Sequence, residues 1–207
     1  MPNWVKNYIY ITDEDGNTLP LDNIKDTLSL LSSDNEEHKE VFSFNKITKM
    51  PEELKKTRSP AMHDGNEEYN NSTKKQCDAL KEKYGYDNWY DWAWDNWDTK
   101  WDCCYSQYCC DEKITFDTAW SAPVTVIKKF SSMIDSKYTV VTEYADEDYG
   151  SNYGIFKCCN GDLIIHHAYD YQDYKDDPEA KRILDYIQGP LSEDYFESVH
   201  DEITGEK

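Results

Sequence analysis

The sequence predicts an α+β fold: an antiparallel sheet with helices on one face. Three observations carry that reading. Runs of alternating or β-branched and aromatic residues recur from Trp4 to Tyr169. Stretches with apolar residues at i, i+3 and i+4 stand between and after them. Asn160-Gly161, between two strand-like runs, is the composition of a two-residue hairpin turn.

The elements follow in order. From Trp4 to Ile11, Val5, Ile9 and Ile11 fall on one face and Trp4, Tyr8 and Tyr10 on the other, as in a strand covered on both sides or central in its sheet. Asp15-Gly16 marks a turn. Asp22 is placed to cap a helix with Ile24, Leu28 and Leu31 inward, and Val41, Phe42 and Phe44 read as a short strand. Pro51 opens a helical turn. Residues 57–72 are polar and turn-rich, the composition of a long mobile loop. Ser72 can cap a helix from Thr73 to Tyr84. A helix from Asn88 to Asp102 comes next, with Asp87 as its cap.

Cys103–Cys110 and Lys113–Asp117 then read as strands. Ser121 is the expected cap of a helix with Pro123 in its first turn and Val126, Ile127, Phe130, Met133 and Ile134 on its apolar face. Tyr138–Tyr144, Tyr153–Cys159 and Asp162–Tyr169 are strands. Asp177 and Pro178 start a helix with Ala180, Ile183, Leu184 and Ile187 inward, and Gly189-Pro190 ends it. The last 17 residues are acidic and expected to be loosely held.

This order fits a split βαβ, ferredoxin-like arrangement with a helical insert at residues 50–102 and an extra C-terminal hairpin and helix. Residues 1–170 form the expected domain; residues 171–207 form an acidic C-terminal helix and tail.

The charge is the strongest compositional signal. The formal net charge is −20 over 207 residues, and 14% of residues are aromatic, too many for a disordered acidic chain. Residues 84–207 hold 26 acidic against 10 basic residues, whereas residues 46–83 are slightly basic. Such a field disfavours direct binding to nucleic acid or anionic membranes and favours basic partners. No apolar run reaches the ~20 residues of a membrane span, and MPNWVKNYIY lacks the apolar core of a signal peptide. The cytosol is therefore the expected compartment, with the seven cysteines reduced.

Tyr84–Asp102, YGYDNWYDWAWDNWDTKWD, holds five of the seven tryptophans and five aspartates. On a helix, Tyr90, Trp94, Trp97 and Trp101 form one stripe, expected in the core. Asp87, Asp91, Asp95, Asp98 and Asp102 form a second stripe. Trp92 points away from the aromatic stripe, free to anchor a partner or to be covered by the chain itself. Like charges at i, i+4 cost a helix about 0.2–0.5 kcal/mol per pair, and only Lys100 offsets them nearby, so the ladder suits a surface kept for a cationic partner. The plainer reading is a solvated face.

Other chemistry is poorly represented. The cysteine pairs 103–104, 109–110 and 158–159 lack CxxC spacing, and adjacent strand residues point to opposite faces, so buried thiols are preferred to a zinc site. Asp146-Glu147-Asp148 hints at a calcium loop but lacks the glycine position and distal glutamate of an EF-hand. P-loop, dinucleotide-binding and nucleophile-elbow motifs are absent, and no histidine has a recognisable catalytic context. No cofactor, metal or catalytic residue is expected.

Several blocks together carry a resemblance: MPNWVKN, FSFNKITKMPEEL (42–54), the stretch 84–102, FDTAWSAP (116–123) and YADEDYGSNYG (144–154). They are similar to the YubB ferredoxin-like family, whose members are encoded by bacteriophages and plasmids. The resemblance spans Met1 to about Gly161 and leaves out the acidic tail. It implies the ferredoxin-like core and no established activity. Its mobile-element setting, with the charge, implies a counter-defence inhibitor of anti-CRISPR or anti-restriction type that mimics a nucleic acid in the basic groove of a host nucleic-acid-binding complex. Asp87, Asp91, Asp95, Asp98 and Asp102 would stand at phosphate positions, with Trp92 as anchor and Asp146, Glu147 and Asp148 nearby. The alternatives are a metal-dependent nucleotide or nucleic-acid enzyme, and a non-catalytic phage accessory protein whose acidity serves solubility. Oligomeric state is left open.

Overall fold

The structure is a computed structural model that describes residues 2–34, 39–59 and 74–190. Most of the polar stretch 57–72, the cap position Ser72 and the tail beyond Pro190 lie outside the described residues.

Strands β1 (Trp4–Thr12) and β2 (Thr18–Leu19) lead through a 3-10 turn to α1 (Lys25–Leu31). A two-stranded ribbon follows, β3 (Ser33–Asp34) with β4 (Lys39–Glu40). Then come four helices: α2 (Phe44–Ile47), α3 (Glu52–Lys55), α4 (Lys74–Tyr84) and α5 (Trp89–Trp97). Strands β5 (Cys104–Cys110) and β6 (Lys113–Ala119) precede α6 (Val124–Ser131). The chain closes with β7 (Thr139–Asp146), β8 (Tyr153–Cys159), β9 (Asp162–Tyr169), α7 (Asp173–Asp176) and α8 (Pro178–Gln188).

The main sheet runs β5-β6-β1-β7-β8-β9, antiparallel throughout, with β2 also on β1. This is the expected α+β, ferredoxin-like architecture. β1 is central, and both of its faces are covered. On one face Val5, Ile9 and Ile11 pack with Phe42, Phe44, Phe116 and Phe130 beneath α1, α5 and α6. Phe42 stacks on Phe116 at 5.5 Å and meets Phe130 edge-on at 5.2 Å. On the other face Val141, Ala145 and Ile155 pack against Ala180, Ile183 and Leu184 of α8. Helices thus stand on both faces, not on one as expected, with the C-terminal helices α7 and α8 on the second. β7 requires this, because it is buried at both parities from Val140 to Asp146.

Local signals placed several elements correctly. Asn160 (φ 50°) and Gly161 (φ 88°) make the two-residue turn between β8 and β9, whose twist needs positive φ at both positions. Asp177 accepts the N–H groups of Glu179 and Ala180 and starts α8.

Several expectations are corrected. Asp22 does not cap the first helix; the 3-10 turn starts after Pro20 and α1 after Ile24, neither with a side-chain cap. Val41–Phe44 is not a strand; Phe44 begins α2, because the distant Asp102 carboxylate takes the Phe44 and Asn45 N–H groups. α5 is capped by Asn88, not Asp87, and stops at Trp97 instead of running to Asp102. Asp98 there is left-handed (φ 59°), and its carboxylate takes the Thr125 N–H at the start of α6. Ser121 does not cap α6 but donates its hydroxyl to the Asp98 carbonyl, and Met133 is exposed.

Candidate functional site

The registers Trp4–Ala119, Val5–Asp146 and Ala145–Tyr153 put the start of β1, the end of β6, the end of β7 and the start of β8 in one row at one end of the sheet. Trp120 and the 146–152 loop project from that row. They are tied to the N-terminal segment: the Trp120 N–H donates to the Asn3 carbonyl at 3.0 Å, and Asn152 Nδ2 donates to the Trp120 carbonyl at 3.1 Å. Asn3 Nδ2 donates to Asp148 at 2.6 Å and to Asp146 at 3.3 Å. The Glu147 N–H donates to the Trp4 carbonyl, and Glu147 Oε1 accepts the Trp4 N–H.

Four tryptophans gather at this end. Trp94 of α5 stacks on Trp120 at 6.5 Å and 6° between planes, and Trp4 meets Trp101 at 6.2 Å. Between the pairs stands Lys100, with Nζ 4.4 Å from the Trp101 ring centroid and 4.7 Å from that of Trp120. At exposed sites each such cation–π contact contributes about 0.5–1 kcal/mol. Trp101 and Trp120 are each 38% exposed, so the rings line a surface, not a core. Trp120 also has φ 71°, a left-handed conformation that a bulky residue holds at a cost of about 1–3 kcal/mol. Hollows of about 360 Å³ (Trp4, Lys6, Asp117, Glu147) and about 370 Å³ (Trp89, Trp97, Lys100, Trp101) flank the Trp4–Trp101 pair.

The structure divides the expected site residues. Asp91 and Asp95 are exposed on α5, and Glu147 and Asp148 are exposed on the loop. The others work inside the protein. Asp87 is buried, bonded to Lys81 at 2.8 Å and to Asn88 at 2.8 Å; burial pushes its carboxyl up, but these two partners outweigh it and hold it below the usual range. Asp98 caps α6. Asp102 accepts Ser43 Oγ and three backbone N–H groups, and burial pushes its carboxyl up against the pull of those donors. Asp146 is buried between Asn3, Asn152 and the Asp148 N–H. Trp92 is 6% exposed, edge-on to Trp97 at 5.1 Å, and so is not an accessible anchor. The continuous aspartate stripe does not form, because the helix that would align it ends at Trp97.

What the tertiary structure adds is the union of the two regions: Trp94 and Trp101 bring the α5 segment to Trp120, Trp4 and the 146–152 loop. The sequence alone puts Trp94 and Trp101 in the core and counts none of Lys100, Trp4 and Trp120 among the site residues. One signal was available: Lys100 is the single cation in residues 84–102.

Among the described residues no three His, Cys, Asp or Glu side chains are grouped to hold a metal ion. Cys77, Cys103 and Cys158 are buried, and Cys109 and Cys110 are exposed on the edge strand β5. Burial pushes the Cys103 thiol well up and the Cys158 thiol up to about 12, which makes both poor nucleophiles. No helix among the described residues is long and apolar enough to cross a membrane.

Residues 90–185 match the family model described as the ferredoxin-like domain in Api92-like protein, a span from α5 into α8. No curated protein matches the chain. The crystal structure of protein api92 from Yersinia pseudotuberculosis aligns over 82% of this chain and 98% of its own, at 10% identity and a TM-score of 0.36, too loose a likeness to transfer any feature. The chain therefore carries a ferredoxin-like domain, similar over residues 90–185 to that of Api92-like proteins.

Proposed function

We propose that this is a phage- or plasmid-encoded counter-defence protein of the YubB ferredoxin-like kind. It acts in the host cytosol by binding, not catalysis. Its partner is a host nucleic-acid-binding complex with a basic groove, as in CRISPR or restriction systems. The observation that carries the reading is a cluster of half-buried and exposed indoles whose own segments also carry exposed carboxylates. Asp91 and Asp95 stand exposed on the helix that carries Trp94, and Glu147 and Asp148 are bonded to Trp4 and Asn3. Carboxylates there can stand at phosphate positions, and the net charge of −20 draws a basic partner from a distance. The indoles supply the apolar contact that binding surfaces concentrate in few residues.

The test is capture from a host lysate at low and at high salt, with wild type beside a variant carrying Asp91→Asn, Asp95→Asn, Glu147→Gln and Asp148→Asn. A basic nucleic-acid-binding complex held by wild type at low salt, released at high salt and lost by the variant is the expected result, since exposed charge pairs are screened. Equal capture by wild type and variant rules this surface out.

A further inference from the structure

We infer that the space between the Trp101 and Trp120 indoles is an arginine-binding slot, which Lys100 fills in the free protein and an arginine of the basic partner takes over on binding. The inference rests on the reading above, that the protein binds a basic partner, and names the group recognised.

Lys100 is the first ground. Its ammonium faces two indoles and, among the described residues, makes no ion pair with a carboxylate. Its sequence neighbours Asp98 and Asp102 are engaged elsewhere, on Thr125 and on Ser43, Phe44, Asn45 and Cys103. A cation held by ring faces alone can be displaced without leaving a buried carboxylate unpaired.

The walls are the second ground. Each is in contact with a further indole, Trp101 with Trp4 and Trp120 with Trp94, yet both wall rings remain open to solvent. Trp120 holds its ring there from a left-handed backbone that asparagine or glycine would adopt more easily. Strain kept at an exposed aromatic residue points to a binding role.

Charge is the third. Glu147 and Asp148 on the adjoining loop are exposed and make the approach negative. A planar guanidinium stacks on indole faces and is less tightly hydrated than an ammonium, so arginine is the cation that displaces Lys100.

The test is titration of the full chain with a hexa-arginine peptide, followed by tryptophan fluorescence and calorimetry. Lys100→Met removes the internal competitor and tightens binding about fivefold, as expected when a larger fraction of the protein is binding-competent. Trp120→Asn, whose side chain tolerates φ 71°, keeps the thermal transition and weakens binding about tenfold by removing one wall. In the Trp120→Asn background the gain from Lys100→Met vanishes. A gain that persists there reflects net charge alone and overturns the slot, as does unchanged binding by either single variant. Equal affinity for hexa-lysine overturns the assignment to arginine. If slot variants capture the host complex as wild type does while the four-carboxylate variant does not, the slot falls and the proposed function stands. If the slot binds hexa-arginine as described but no host complex is captured, the proposed function falls and the slot stands.

Discussion

The Asp102 carboxylate accepts the Phe44 N–H at 2.6 Å across 58 positions of sequence. It caps a helix that has no side-chain cap of its own, and takes Ser43 Oγ at 2.8 Å as well. Hydrogen bonds to a charged group contribute about 1.5–3 kcal/mol. Asp102→Ala should therefore lower stability by about 2–3 kcal/mol, read as a fall in the urea midpoint at unchanged slope. A loss below about 0.5 kcal/mol, the range of an ordinary surface substitution, would show that the cap is dispensable.

Trp92 and Trp101 should behave in opposite ways. Trp92 fills core space against Trp97, so Trp92→Ala should cost about 3–5 kcal/mol. Trp101→Ala, at an exposed position, should cost about 1 kcal/mol or less while weakening hexa-arginine binding. Thermal unfolding of both variants checks the contrast; equal losses would contradict it.

Glu143 is 1% exposed between the sheet and α8, where its Oε1 accepts Tyr10 Oη at 2.8 Å and Arg182 Nη2 at 2.9 Å. Burial first, then the nearby carboxylate, pushes the Tyr10 phenol well up. Arg182→Ala leaves that carboxylate without its counter-charge and should cost about 3 kcal/mol, the low end for a broken buried pair because Arg182 is half exposed. Replacing Glu143 and Arg182 together by Leu should recover most of the loss. Denaturation of the single and double variants measures both, and a double variant as unstable as Arg182→Ala would refute the account.

Asp87 gives a pH dependence. Its folded carboxyl is held below the usual range by Lys81 and Asn88 despite burial. Its stabilisation is therefore full above the unfolded value of about 3.9 and is lost as pH falls through the lower, folded value. Asp87→Asn should reduce stability at pH 7 by about 1 kcal/mol and flatten the fall in melting temperature below about pH 4. An unchanged acid limb would place the linkage on other carboxylates.

Much of the fold was legible because its signals are local. The alternation of Trp4–Ile11, the Asn160-Gly161 turn and the Asp177-Pro178 start of α8 each depend on neighbours in sequence, and each stands as read. The errors fall where a distant group intervenes. Phe44 begins a helix because of Asp102, and α5 stops five residues short because Asp98 turns aside to cap α6. The site was legible in composition but not in arrangement: Asp91, Asp95, Glu147 and Asp148 are exposed, while Asp87, Asp102 and Asp146 are inside.

The sequence by itself determined most of the secondary-structure order, the antiparallel sheet and an acidic, aromatic-rich character, because periodicity, turn residues and net charge are properties of the chain wherever it runs. Only the tertiary structure decided which carboxylates face solvent and which tryptophans meet across Lys100. A carboxylate becomes a cap, and an indole a wall, only when a partner dozens of residues away reaches hydrogen-bonding or van der Waals distance.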